Sequence, residues 1–312
     1  MTWPSPLGTA ITEGPLSPEQ ATQVQEIAAA ATRTDGVAPL SEDVLLQVRH
    51  GSGPRARDLV VTSADGMLVG YAHLDAPDAE APGGDASGEL VIHPGYRRGG
   101  YGTALGSALL AGADGTGVRL WAHGELPGAV GLAKSAGFTR FRALWQMRMP
   151  LAGLPAGDPA VPQGVTIRSF VPGSDEETWL AVNHRAFAHH PEQGRWTMDD
   201  LLLRESEPWF DPAGFFLAER DGRLAGFHWT KVHQDGGADG GPIGEVYVVG
   251  VDPGQQGGGL GRALTLAGLA HLRRLGLADV MLYVDEDNTA AVRMYTDLGF
   301  IRWSTDAMYR HP

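Results

Sequence analysis

Two stretches decide the fold: GELVIHPGYRRGGYGTALGSALLAGA (Gly88–Ala113) and GEVYVVGVDPGQQGGGLGRALTLAGLAHLRRLG (Gly244–Gly276). Each runs from an apolar strand through a glycine-rich loop into an Ala/Leu-rich amphipathic helix. Glycines let the backbone turn tightly and approach a ligand closely. The helix that follows presents unpaired N–H groups and the positive end of its dipole. A strand, loop and helix in this order predict a cradle for a pyrophosphate. The spacing is not that of a G-x-G-x-x-G dinucleotide loop, and no Lys-Ser/Thr pair follows as in a nucleoside-triphosphate loop.

Working outward, the same order of elements occurs twice. His93-Pro94 matches Asp252-Pro253, RRGGYG (Arg97–Gly102) matches QGGGLG (Gln256–Gly261), and Gly137-Phe138 matches Gly299-Phe300. Three matches in register mark an internal duplication with a period of roughly 160 residues, which has to be recognised before any fold is assigned. A strand, Asp-Gly turn and strand precede each loop (DLVVTSADGMLVGYAHL and FFLAERDGRLAGFHWTKV), and a strand, helix and closing strand follow it, FRALWQMRMP ending the first copy and IRWSTDAMYR the second. LAGLPAGDPAVPQG, broken repeatedly by Pro and Gly, reads as a linker. The expected division is a first domain over 1–150, a linker over 151–164 and a second domain over 165–312. Both domains are expected to be α/β units with a mixed sheet (α+β).

Composition narrows the function. The 312 residues carry a formal charge of -13 without a basic block, which disfavours nucleic-acid or acidic-membrane partners. The chain has no cysteine, so disulfides, thiolate metal sites and a cysteine nucleophile are excluded. Neither a secretory leader pattern nor a long apolar run is visible, and a cytoplasmic monomer is the expectation.

The paired loops resemble motif A of the GNAT family of acyl-CoA N-acyltransferases, Arg/Gln-x-x-Gly-x-Gly/Ala, and the likeness in element order covers nearly the whole chain. It implies tandem GNAT domains that use acetyl-CoA as co-substrate. In the first copy it assigns the cradle to Arg98, Gly99, Gly100, Tyr101, Gly102 and Thr103, after strand residues Leu90, Val91 and Ile92. In the second it assigns Gln256, Gly257, Gly258, Gly259, Leu260, Gly261 and Arg262, after Val249, Gly250 and Val251. A backbone N–H of that strand would polarise the thioester carbonyl. Family loops often carry Arg where Gly257 and Gly258 stand, so weaker CoA binding is expected here.

Acetyl transfer to an amine needs a proton acceptor for the amine and a donor for the leaving thiolate. The second copy offers Glu245, at the start of its central strand, and Tyr295, at the family's general-acid position. Asn288 bonds the pantetheine arm, caps the following helix, or does both; Thr289, Ala290, Ala291, Val292 and Arg293 continue that helix as cofactor-binding residues. The first copy places Ala86, Leu126 and Ala133 opposite Glu245, Asn288 and Tyr295, so it is expected to keep a cradle without acid or base.

Longer runs, among them NHRAFAHHPEQGRW, GFHWTKVH and LYVDEDNTAAVRMY, resemble a two-domain actinobacterial branch of the family. That likeness implies a small-molecule acceptor, the cysteinyl amine of cysteinyl-glucosaminyl-inositol, held by Glu42, Glu192, Lys231, Glu245 and Tyr283. A different small amine, or a CoA-sensing role without turnover, are the competing readings. His184, His189, His190, His228 and His233 fit no metal-ligand spacing, and no metal is expected.

Overall fold

The computed structural model describes residues 9–77, 84–113, 115–154, 160–188, 190, 193–237 and 240–312. The chain forms two compact units, Met1–Trp145 with Ser304–Pro312, and Gln146–Trp303.

The first unit contains β1 (Ala10–Glu13), α1 (Pro18–Asp35), α2 (Glu42–His50), β2 (Ala56–Thr62), β3 (Leu68–Asp75), β4 (Ala86–Ile92), α3 (Tyr101–Gly112), β5 (Val118–Ala122), α4 (Pro127–Ser135) and the start of β6 (Thr139–Pro150). Strands β1 to β4 form an antiparallel meander, and β5 joins β4 in parallel. The helix α1 begins at a capping box, with Ser17 and Gln20 bonding each other's backbone N–H, and ends at Gly36 in the left-handed region at φ 73°. One sheet face packs Val60, Tyr71 and Val91 against Val24, Ile27 and Val44 of α1 and α2. The opposite face packs Leu59, Leu74 and Ile92 under Leu105 and Leu109 of α3.

The second unit contains the end of β6, β7 (Val165–Ser169), α5 (Glu176–Ala186), α6 (Met198–Glu205), β8 (Phe215–Arg220), β9 (Arg223–His233), β10 (Ile243–Val251), α7 (Leu260–Arg274), β11 (Asp279–Asp285), α8 (Thr289–Leu298) and the start of β12 (Ile301–His311). Strands β7 to β10 are antiparallel, and β11 joins β10 in parallel. An aromatic cluster with Trp179, Phe215, Phe227 and Trp229 at its centre fills the α5/α6 face. Helix α7 covers the other face through Leu260 and Leu264.

The ends of the two units differ from the expected division. Residues 304–312 pack with the first unit, where Ala307–His311 pair antiparallel with Val118–Ala122, and Gln146–Pro150 belong to the second. Each half therefore lends its closing strand to the other. Alternating hydrophobicity identifies a strand but does not name its neighbour.

Helix α7 lies unusually close to β9 because Gly268 has no side chain: a Cβ there would land inside the ring of His228 and 2.8 Å from Thr230 Cγ2. The His228 ring is fully buried and bonded through Nδ1 to the Leu264 carbonyl at 2.8 Å, so it has little room to yield. Gly268→Ala is expected to destabilise the second unit by about 1–3 kcal/mol, the usual cost of overpacking. Urea denaturation of the variant checks this; an unchanged midpoint would contradict it.

Candidate functional site

In both units the parallel strand pair parts company after three residue pairs. In the second, Gly244, Glu245 and Val246 align with Val280, Met281 and Leu282, after which β10 and β11 run on unpaired with each other. In the first, Ala86, Ser87 and Gly88 align with Val118, Arg119 and Leu120. Each splay leaves strand backbone available to an extended ligand, as a pantetheine arm requires. A turn led by Asp252 in one unit and His93 in the other follows, each side chain accepting a bond from the glycine N–H two residues on, at 2.9 and 3.2 Å.

The glycine loops then open α7 and α3. Gly257, Gly258 and Gly259 all lie in the left-handed region, at φ 94°, 62° and 81°, and in the first loop Arg98 and Gly100 do so at 65° and 88°. Gly259 and Gly100 are the N-cap residues, and neither helix has a side-chain cap. The first backbone N–H groups are thus left facing outward as an anion-binding concavity, and the residues present fit the diphosphate of CoA. Arg98 occupies the backbone position of Gly257 in its own copy. In the first unit a cleft of about 400 Å³ is lined by Leu90, Val91, Ile92, Arg98, Gly100, Gly102 and Thr103 together with His123 and Leu126. Neighbouring Arg97 is held by Asp35, at 2.6 Å.

Four polar residues of the second unit lie on the α5/α6 face of its sheet. Glu245 is directly opposite Lys231 across β9 and β10, and directly beside Met281 across β10 and β11. Paired residues project to one face, and so do residues two apart, so Lys231, His233, Glu245 and Tyr283 share it. Glu245 is 7% exposed, and its Oε2 is 2.6 Å from His233 Nε2. The Lys231 ammonium lies over the rings of Trp209 and Tyr247, 4.2 and 5.2 Å from their centroids, which favours a cation in a dry setting. The Tyr283 hydroxyl accepts a bond from Gln146 Nε2 at 2.7 Å. Tyr295 is buried on α8 against Phe300, and burial pushes its phenol well above the usual range. Asn288 caps α8, its Oδ1 accepting from the Ala291 N–H at 3.2 Å.

Of the acceptor residues predicted from sequence, Lys231, Glu245 and Tyr283 come together. Glu42 is the first residue of α2, in the other unit, and Glu192 and His189 lie outside the described residues. His184 bonds the Trp196 carbonyl and His190 is 3.8 Å from Asp285, while among the described residues no group of three metal-type ligands converges. The sequence reading missed three neighbours of this site, His233, Tyr247 and Trp209. The alternation of Lys231 and His233 along one strand was a legible sign for the first of them.

A β-bulge between Val246 and Val248 explains a further miss. It turns Glu245 to the same face as Val248. The first unit has no bulge in β4, so Ala86 points instead into the α3 core, as the residue aligned with Glu245. The acidic residue on the equivalent face is Glu89, opposite His73 and 4% exposed. It belongs to a row of alternating acids and imidazoles. Asp58 is 3.0 Å from His73, Glu89 is 3.4 Å from His123, and Asp306 is 3.0 Å from His123. Burial pulls both imidazoles toward neutrality, but the flanking carboxylates outweigh it and raise His73 to about 9 and His123 to about 10.

A raised histidine pKa stabilises the fold below the unfolded value of 6.5 and loses that contribution as pH climbs through the folded value. The first unit is therefore expected to weaken between about pH 6.5 and about pH 10, and His73→Gln to flatten the slope. Urea midpoints measured across that range check it; a midpoint independent of pH in the unsubstituted chain would contradict it.

This fold, with splayed parallel strands and an N–H cradle in each half, defines an acyl-CoA N-acyltransferase. A model of the acetyltransferase (GNAT) family matches residues 25–138 and 179–300, and the chain belongs to that family. Family acetyltransferases use acetyl-CoA. Among similar proteins is the mycothiol acetyltransferase of Thermobispora bispora, 60% identical over 92% of this chain and 94% of that one. The mycothiol acetyltransferase of Thermomonospora curvata is 59% identical over 95% of each. A tandem GNAT protein from the clavulanic acid biosynthesis pathway shares the fold, with a TM-score of 0.71 at 22% identity over 97% of this chain and 98% of that one. No described helix is long and apolar enough to cross a membrane.

Proposed function

We propose that the chain transfers the acetyl group of acetyl-CoA to the cysteinyl amine of cysteinyl-glucosaminyl-inositol, forming mycothiol, and that the second unit carries this chemistry. The observation that carries the reading is the Glu245–His233 pair beside the opening of β10 from β11, in a chain that matches mycothiol acetyltransferases along nearly its whole length.

Acetyl-CoA supplies an activated thioester. Val249, Gly250 and Val251 offer backbone bonds to the pantetheine arm, and the N–H groups around Gly257–Gly261 take the diphosphate, with Gln256 and Arg262 flanking them. Asn288 and the first turn of α8 border the arm. Glu245 accepts the proton of the acceptor's ammonium, and His233, bonded to it, holds the carboxylate in place. The amine nitrogen then bonds to the carbonyl carbon, the carbon–sulfur bond breaks, and the Tyr295 hydroxyl protonates the leaving sulfur. A neutral phenol suits that role, and burial keeps Tyr295 neutral. Lys231 and Tyr283 share the face of Glu245 and offer hydrogen bonds to acceptor oxygens; Glu42 and Glu192 are the remaining proposed acceptor contacts. In the first unit Leu90–Ile92 and Arg98–Thr103 hold a second acetyl-CoA.

Purified protein given acetyl-CoA and cysteinyl-glucosaminyl-inositol should yield a product acetylated on the cysteinyl nitrogen with its thiol free, as read by mass spectrometry before and after thiol alkylation. Acetylation on sulfur, or none, would overturn the reading.

A further inference from the structure

From Tyr283, on the face that holds Glu245, polar and ring contacts run on through Gln146 and Arg148 to Trp303, all within the second unit. Guanidinium nitrogens only donate, so the bond from Arg148 Nε at 2.8 Å fixes which amide atom of Gln146 is oxygen. The amide nitrogen points the other way and donates to the Tyr283 oxygen at 2.7 Å. Arg148 Nη1 donates to the Gly236 carbonyl at 2.8 Å, and the guanidinium carbon lies 4.5 Å from the centre of the Trp303 ring. Among the described residues no carboxylate pairs with this guanidinium and its Nη2 makes no hydrogen bond, and burial pulls its pKa below the ordinary value. Trp303 keeps 57% of its surface exposed, a large ring left bare beside a cation.

We propose that Arg148 and Trp303 form a polyol subsite that takes the inositol ring of the acceptor, the part farthest from the reacting amine. The subsite rests on the reading of the acceptor given above and names what recognises its far end. An indole offers an apolar plate to the C–H face of a ring, and a guanidinium offers a fork of donors to neighbouring hydroxyl oxygens. Spacing supports the assignment. β11, β6 and β12 follow β10 in the sheet, at about 4.8 Å per strand, so the start of β12 is about 14 Å from the strand of Glu245. A cysteinyl unit, a sugar ring and a cyclitol ring in series span a comparable length. With the amine at Glu245 and the sugar beside Tyr283, the cyclitol falls at Arg148 and Trp303. Gln146 is a positioning residue: by donating to the Tyr283 oxygen it sets that hydroxyl as a donor toward other groups.

The test uses the full chain with saturating acetyl-CoA and two acceptors: cysteinyl-glucosaminyl-inositol, and cysteinyl-glucosamine, which lacks the cyclitol. Trp303→Ala should raise KM for the first about tenfold, the scale of a lost aromatic contact, and leave kcat and KM for the second in place. Trp303→Phe should restore much of the loss, since a flat apolar ring remains. Arg148→Met should raise KM for the full acceptor about 10–100-fold, the scale of lost charge-assisted hydrogen bonds, and raise it less for the shorter one, through Gln146 and Tyr283. Acetyl-CoA affinity by calorimetry and the urea midpoint should not move; if Arg148→Met lowers the midpoint, the Trp303 pair alone decides. Equal rises with both acceptors after Trp303→Ala, no rise with either, or equal KM for the two acceptors in the unsubstituted chain would each overturn the subsite. An unsubstituted chain that acetylates neither compound would instead remove the reading of the acceptor beneath it.

Discussion

Replacing Glu245 by glutamine should lower kcat/KM for acetyl transfer by about 10²–10⁴-fold, the range general acid–base catalysis supplies. Glutamine keeps the shape of the side chain and a hydrogen bond to His233, which lies 2.6 Å from the carboxylate. It removes the capacity to take a proton from an ammonium. The strand should stay in place, since its pairing to β9 and β11 is made by backbone. Acetyl-CoA affinity at the glycine loop should therefore change little. Steady-state rates over a range of acceptor concentrations, with acetyl-CoA binding measured separately, check both halves. A loss smaller than threefold would mean that Glu245 is not the proton acceptor.

Tyr295→Phe should lower kcat by about 10²-fold, again on the scale of one lost proton transfer. The ring contact with Phe300 survives, and only the hydroxyl disappears. Nothing but burial acts on the phenol, so no ion pair is broken and the melting temperature should hold. The diagnostic feature is the leaving group. An acetyl thioester whose thiol is more acidic needs less help in departing, so the variant should recover much of its rate with such a donor. Equal losses with both donors would show that Tyr295 packs and does not protonate.

The legible parts of this protein were those set by local chemistry. The glycine runs at Arg97–Gly102 and Gln256–Gly261 announced their loops because glycine adopts the left-handed conformation readily, as Gly100, Gly257, Gly258 and Gly259 do. Asn288 announced a helix start for the same kind of reason, and it caps α8. Lys231 and Glu245, placed by resemblance, proved to be cross-strand neighbours. What stayed hidden depended on register and on distant segments. A bulge at Tyr247 decides which way Glu245 points, and nothing in EVYVVGV marks it. The exchange of closing strands brings Asp306 to His123 across 183 positions of sequence. Counting residues back from the loop therefore pointed to Ala86 and passed over Glu89, whose partners are Ser41 at the N-cap of α2 and His123 just after β5.

The central claim, that the second unit is built for one particular amine, is met most directly by comparing specificity constants. Acetyl-CoA would be held saturating while cysteinyl-glucosaminyl-inositol, cysteine and glucosamine are varied in turn, with acetylated products quantified by chromatography. The pseudodisaccharide should exceed either fragment by at least about 10²-fold, because a site with polar groups set for the sugar leaves them unpaired when the sugar is missing. Equal constants for the whole acceptor and for cysteine would contradict the account.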